Sequence, residues 1–232
     1  MYVVHETRTL YSCQVAAERL SRETVAERAL RLGDDEGLEA VTIRRLAQEL
    51  HVSPMALYWH FKNKDELFLG VVDHVLSGVR RRPGETDPMV QIRRMVETLV
   101  TVMREHPVMP HLLHACDKGQ STGFTRATED SLAVLTQLGF TVQESFWVAS
   151  YLLNGAIALA AGHPNAKAKV PPGGLAEWRR QQRLDLERLP AADFPMMHVF
   201  AKTYDEEPDL ERYYRFGVDL LMAAVQARAM MA

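Results

Sequence analysis

The sequence predicts an all-α fold in two parts: a small N-terminal domain built on a helix-turn-helix, and a larger helical domain behind it. Three observations predict this. Residues 41–64, VTIRRLAQELHVSPMALYWHFKNK, hold two short amphipathic helical patterns that meet at a tight break. Apolar residues recur at helical spacing along nearly the whole chain, and no segment alternates strongly enough to build a sheet. A run of charge, proline and glycine, RRRPGETDP at 80–88, marks one boundary. The expected division is a tail at 1–17, a helix-turn-helix domain at 18–79 and a second domain at 80–232.

Ser21 is a good N-cap with Glu23 in the first turn. Val25, Ala26, Ala29, Leu30 and Leu32 then carry helix one from about Arg22 to Glu36, and Gly37 stops it. Thr42 caps helix two, whose apolar stripe is Ile43, Leu46, Ala47 and Leu50. His51 and Val52 form the turn. Ser53 caps helix three, and Pro54 stands at its first position, where a missing N–H costs nothing. Ala56, Leu57 and Phe61 point inward. Tyr58, Trp59 and His60 cannot all follow them, because so short a helix has one buried stripe. Tyr58 and His60 read as contacts with something outside the protein. Trp59 reads as packing between helices three and four, with a base contact as the alternative. Asn63 caps helix four, and Glu66 makes a capping-box variant with it.

The arginines at 80–82 read as a solvated helix end, with phosphate contact as the alternative. Helices follow at about 89–105, 107–118 and 122–138. Thr141 and Glu144 form a capping box for a helix running to about Gly162. That helix, FWVASYLLNGAIALAA, is apolar on nearly every side, as is the last one, Leu210 to Met230. Such helices need cover all round, and Gly155, Ala156, Gly217, Ala223 and Ala224 permit close approach. A four-helix interface in a two-fold dimer meets both conditions. Between them lie a flexible stretch, HPNAKAKVPPGG, a charged helix at 175–189 and a short helix at 196–204.

Of the 232 residues 47% are hydrophobic and 25% charged, which fits a globular protein with a real core. The net charge is −3, yet between Ala40 and Lys64 four cations (Arg44, Arg45, Lys62, Lys64) face Glu49 alone. No signal peptide or membrane span is readable. Cys13 and Cys116, far apart, fit reduced thiols in the cytoplasm. His106, His111, His114 and Cys116 cluster within a short stretch but lack the second set of ligands a metal site needs, so no metal or other cofactor is expected. GxSxG, HExxH and phosphate-cradling glycine loops are absent, which argues against an enzyme.

TIRRLAQEL followed by HVSPMALYWHFKNKDEL closely resembles the tetracycline-repressor (TetR) family of bacterial transcription regulators, above all in LYWHFKNK. The resemblance covers about Leu20 to Val79, and beyond that it is architectural. It implies DNA contacts residue by residue. Thr42 stands at a phosphate contact and Arg44 at a base-reading position, where a guanidinium can grip guanine O6 and N7. Ser53, Met55 and Ala56 fall where the recognition helix meets bases, and Tyr58, His60 and Lys64 where the backbone or thymine methyls are held. His51 departs from the glycine of many members, and Met55 and Ala56 replace more polar groups.

The resemblance also implies a ligand cavity among the central helices. Met103, His106, Met109, His114, Phe124, Phe146, Trp147, Tyr151 and Asn154 are the candidates to line it. The expected function is a homodimeric, ligand-responsive regulator of a double-stranded operator, a repressor released by an apolar or aromatic small molecule. A helical small-molecule-binding protein with a vestigial helix-turn-helix is the alternative.

Overall fold

A computed structural model describes residues 20–163 and 173–231. The expected N-terminal tail and most of the loop after Gly162 lie outside them. Every regular element among the described residues is helical, and the chain divides into two units, described in turn.

The first unit contains the residues up to Gly78 together with His111–Thr125. Helix α1 spans Arg22–Glu36, α2 Ile43–Glu49, α3 Pro54–Tyr58 and α4 Lys64–Leu76. Each start follows from a side chain written into the sequence. Ser21 accepts the Thr24 N–H, Thr42 that of Arg45, Ser53 that of Ala56 and Asn63 that of Glu66. The Glu66 carboxylate accepts from the Lys62 N–H at 2.8 Å, one residue short of the reciprocal capping box expected. α1 packs on α4 and α2 on α3, closing a core of Val25, Leu30, Leu46, Leu57, Phe61, Leu67 and Val72. His51 has φ 53°, a left-handed turn conformation that histidine tolerates better than a branched residue.

A single cut after residue 79 does not describe the packing, because 111–125 joins this unit. The segment carries the end of α6 (Met109–Ala115), a 3-10 turn at Lys118–Gln120 and the start of α7 (Thr122–Gln137). Asp73 of α4 holds it: its Oδ1 accepts the Ser121 hydroxyl at 2.6 Å and the Gly123 N–H at 2.7 Å. A Cβ on Gly123 would lie 2.9 Å from both Cα and the carbonyl oxygen of Asp73, so the backbones meet only because residue 123 has no side chain.

The second unit contains Val79–Pro110 and the chain from Arg126 onward. Its helices are α5 (Pro88–Glu105), the rest of α7, α8 (Val142–Ala161), α9 (Leu175–Glu187), α10 (Pro195–Ala201) and α11 (Leu210–Ala229). α5 buries Ile92, Met95, Val96, Val100 and Met103 against α8 and α11. Arg93 meets Asp219 at 2.7 Å, and Arg104 meets Glu211, so α5 and α11 run antiparallel. Arg228 meets Glu144 at 3.2 Å, Gly155 faces Leu221 and Gly217 faces Leu159, so α8 and α11 also run antiparallel. These two helices interleave within the chain. A Cβ at Gly155 would strike Leu221, and one at Gly217 would strike Leu159.

Arg80 and Arg81 are not a freely solvated helix end. Both close on the buried Asp130 of α7, Arg80 Nε at 2.5 Å and Arg81 Nε at 3.5 Å. α8 buries Ser145, Leu152 and Ala156 but leaves Val142, Phe146, Trp147 and Tyr151 at the surface, so within one chain its apolar girth is only partly covered. No described helix is long and apolar enough to cross a membrane.

Candidate nucleic-acid interface

Only Leu57 of the five residues of α3 is buried. Its outer face presents Met55, 66% exposed, and Tyr58. Trp59, which caps the helix C-terminus, does not pack between α3 and α4: it is 85% exposed. An indole so open is held by nothing among the described residues of the first unit, and the sequence could not reveal this. Periodicity says that three consecutive aromatic or polar residues cannot all be buried, but not which one a neighbouring helix will leave uncovered.

Two contacts fix the pose of this helix. Leu57 and Phe61 anchor it to the core. Arg22 of α1 then reaches over, donating to the His60 carbonyl, pairing with Glu66 at 3.0 Å and lying 4.3 Å above the Phe61 ring. The N–H of Lys62 and then Arg22 hold the Glu66 carboxyl below the usual carboxylate range. Arg22 carries no local motif, and its targets lie 38 and 44 residues away, so sequence reading missed it.

The adjacent arginines of α2 separate cleanly. Arg45 is bound to Glu49 at 2.8 Å and Glu36 at 2.6 Å, and Glu49 also takes Arg28 at 2.5 Å. These carboxylates, Glu49 foremost, raise the Arg45 pKa and pin the side chain against α1. Arg44 is exposed, and no ion pair engages it among the described residues. It is the arginine of α2 whose guanidinium remains available.

Thr42 and Ser53 are exposed caps. Each oxygen accepts a backbone N–H, at 3.1 and 3.3 Å, and each hydroxyl proton is left to donate outward. Ala56 and His60 are half-buried beside them. Lys64 leans back: its ammonium donates to the Leu38 carbonyl at 3.2 Å and sits 5.1 Å from the Phe68 ring. Three N–H donors still leave it capacity for a second acceptor.

The model of the family "Bacterial regulatory proteins, tetR family" matches residues 25–71, the stretch from α1 into α4. Tetracycline repressor protein class C of Escherichia coli is 48% identical over 59 residues, 25% of this chain and 27% of that protein. The class E repressor of the same organism is 32% identical over 136 residues, 56% and 62% of the two. Residues 25–71 form a tetR-family domain. With these curated relatives the match spans less than two thirds of their length. Among solved structures, that of the Streptomyces coelicolor TetR family protein ActR in complex with (S)-DNPA aligns at a TM-score of 0.71 and 26% identity, over 90% of this chain and 98% of that one.

The nine residues expected to line a TetR-type ligand cavity have different surroundings. Met103 and Met109 are fully buried, and His106 and Phe124 half-buried. His114, Asn154, Phe146, Trp147 and Tyr151 are exposed, the last at 73%, so among the described residues the three α8 aromatics lie at the surface. His114 and Phe124 belong to the first unit and the other seven to the second. Among the described residues no three metal-ligating side chains converge. Ser145, not singled out in the sequence, is fully buried on α8, and its hydroxyl has no hydrogen-bond partner among the described residues.

Proposed function

We propose that this chain is a homodimeric, ligand-responsive transcriptional regulator, a repressor that leaves a pseudo-palindromic operator when a small apolar or aromatic molecule binds. One observation carries the proposal: α3 turns Met55, Tyr58 and Trp59 outward beside an unpaired Arg44, while Leu57 and Phe61 fix its pose. Exposed aromatics at α3 and a free guanidinium on α2 serve no purpose in the unit's own packing. They suit a major groove, where Arg44 reads guanine and Met55 and Ala56 lie on thymine methyls.

Thr42, Ser53, Tyr58, His60 and Lys64 then hold the backbone or flanking methyls, and Trp59 joins them. The open faces of α8 and α11 support pairing of two chains, which would set two recognition helices ~34–36 Å apart. Response to a ligand is supported by the likeness to ActR, a protein solved in complex with (S)-DNPA. Met103, His106 and Met109, with exposed Asn154, all of the second unit, are the proposed effector contacts. Phe146, Trp147 and Tyr151 join them only once a partner chain covers α8.

Fluorescence anisotropy with DNA from upstream of the chain's own gene tests the proposal across a salt series. Affinity should fall steeply and log-linearly with salt. Salt-independent binding would remove the phosphate contacts. Ligand binding with no DNA retention at low salt would favour the vestigial helix-turn-helix reading instead.

A further inference from the structure

In the second unit, α9, α10 and the 3-10 turn at Lys202–Asp205 pack on one another. Between this hairpin and the start of α11 lies a groove of about 810 Å³ that none of the roles above uses. Arg179 of α9 lines it and is only 7% exposed. Its Nη2 donates to the backbone carbonyls of Thr203 at 3.3 Å, Tyr204 at 3.1 Å and Glu206, and its guanidinium lies 5.5 Å from the Tyr204 ring. Among the described residues no carboxylate pairs with it. A buried cation facing only carbonyl dipoles is incompletely compensated, and Nε and Nη1 keep three further N–H donors.

The rest of the lining defines what would complete it. Lys202 and Arg212 add two cations, and Phe200 and Phe216 add apolar rings that are largely open to solvent. Glu206, Glu207 and Asp209 also line the groove, with Asp209 already spent on capping α11 at the Arg212 N–H. Their charge opposes a phosphate or other polyanion. A single negative charge on a flat apolar body satisfies both halves of the lining.

We propose that this groove binds a monoanionic aromatic carboxylate, with the carboxylate on Arg179 and the ring between Phe200 and Phe216. The site shares no residue with the effector contacts proposed above and does not depend on them.

Calorimetric titration of the full chain with 2-naphthoate and with neutral 2-naphthamide tests it. The carboxylate should bind about tenfold tighter or better, and Arg179→Gln should abolish that preference. Equal binding of the two probes, or a preference that survives in Arg179→Gln, overturns the proposal. Because Arg179 also braces residues 203–206, photolabelling of the unmodified protein with 4-azidobenzoate gives a readout that needs no variant. Label should fall within residues 175–216 and be displaced by 2-naphthoate; label confined elsewhere in the chain overturns the proposal.

Discussion

Arg44 and Arg45 are neighbours in sequence with different partners, and that difference fixes what each substitution should do. Arg45 closes α1 onto α2 through Glu36 and Glu49, so Arg45→Ala should lower thermal stability while leaving the rank order of bound sequences unchanged. Arg44 has no such partner. Arg44→Ala should leave stability within ~0.5 kcal/mol and cost ~1–3 kcal/mol of operator affinity, with relaxed preference at one base pair. Selection of bound sequences from a random pool, beside thermal melts, separates the two. Trp59→Ala provides a control on exposure. A side chain 85% exposed contributes little to folding, so the variant should melt with the parent and lose only DNA affinity. A large drop in melting temperature would return Trp59 to a packing role.

Two further residues test energetics alone. Ser145 keeps a buried hydroxyl without a partner, so Ser145→Ala should raise stability by ~1 kcal/mol, measured by chemical denaturation. Glu66 is held below its ordinary range by Lys62 and Arg22, so the unfolded chain takes up this proton before the folded one does. Its stabilisation is complete above about pH 4.3, the ordinary glutamate value, and is lost as pH falls through the lower folded value. Glu66→Gln should therefore flatten the acid limb of the stability–pH curve.

At the scale of elements, most of the fold was legible because helix ends are local. Ser21, Thr42, Ser53, Asn63 and Thr141 each accept the N–H three positions into the helix they start, and such spacing is visible in a bare sequence. The loss was in contacts far apart along the chain. Asp130 meets Arg80 across 50 residues, and Asp73 meets Ser121 across 48. No periodicity marks either carboxylate. The segment 111–125 therefore read as part of the second domain although it packs with α4. At the candidate interface the exposed caps and the core anchors were readable, but the choice among Tyr58, Trp59 and His60 depended on what α1 and α4 cover. The contact between α4 and α7 makes its own prediction. Gly123→Ala places a Cβ against the Asp73 backbone and should cost ~1–3 kcal/mol of stability. Asp73→Ala, which removes the acceptor of two hydrogen bonds but introduces no clash, should cost ~1–3 kcal/mol. Denaturant titration of each variant checks both figures.

For the whole molecule, the open question is what covers α8 and α11. Tyr151 is 73% exposed on one and Leu220 57% on the other, on helices already locked together inside the chain by Gly155 and Gly217. Under the proposed function a second copy lies across this face. Tyr151→Glu should then shift light scattering from dimer to monomer. Operator affinity should fall by at least an order of magnitude, because two half-sites no longer act as one ligand. A Tyr151→Glu variant that stays dimeric would move the interface elsewhere.

Helix α3 divides its labour so that its inward side chain anchors it and its outward side chains are unconstrained by the fold. Met55 in particular supports nothing in the core. A mutation there passes the folding filter whatever it introduces, be it glutamine, arginine or threonine. Under the proposed function, operator preference can thus drift by single steps through stable intermediates. A duplicated copy of the gene would need only one or two changes at this helix to stop competing with its parent for the same promoter.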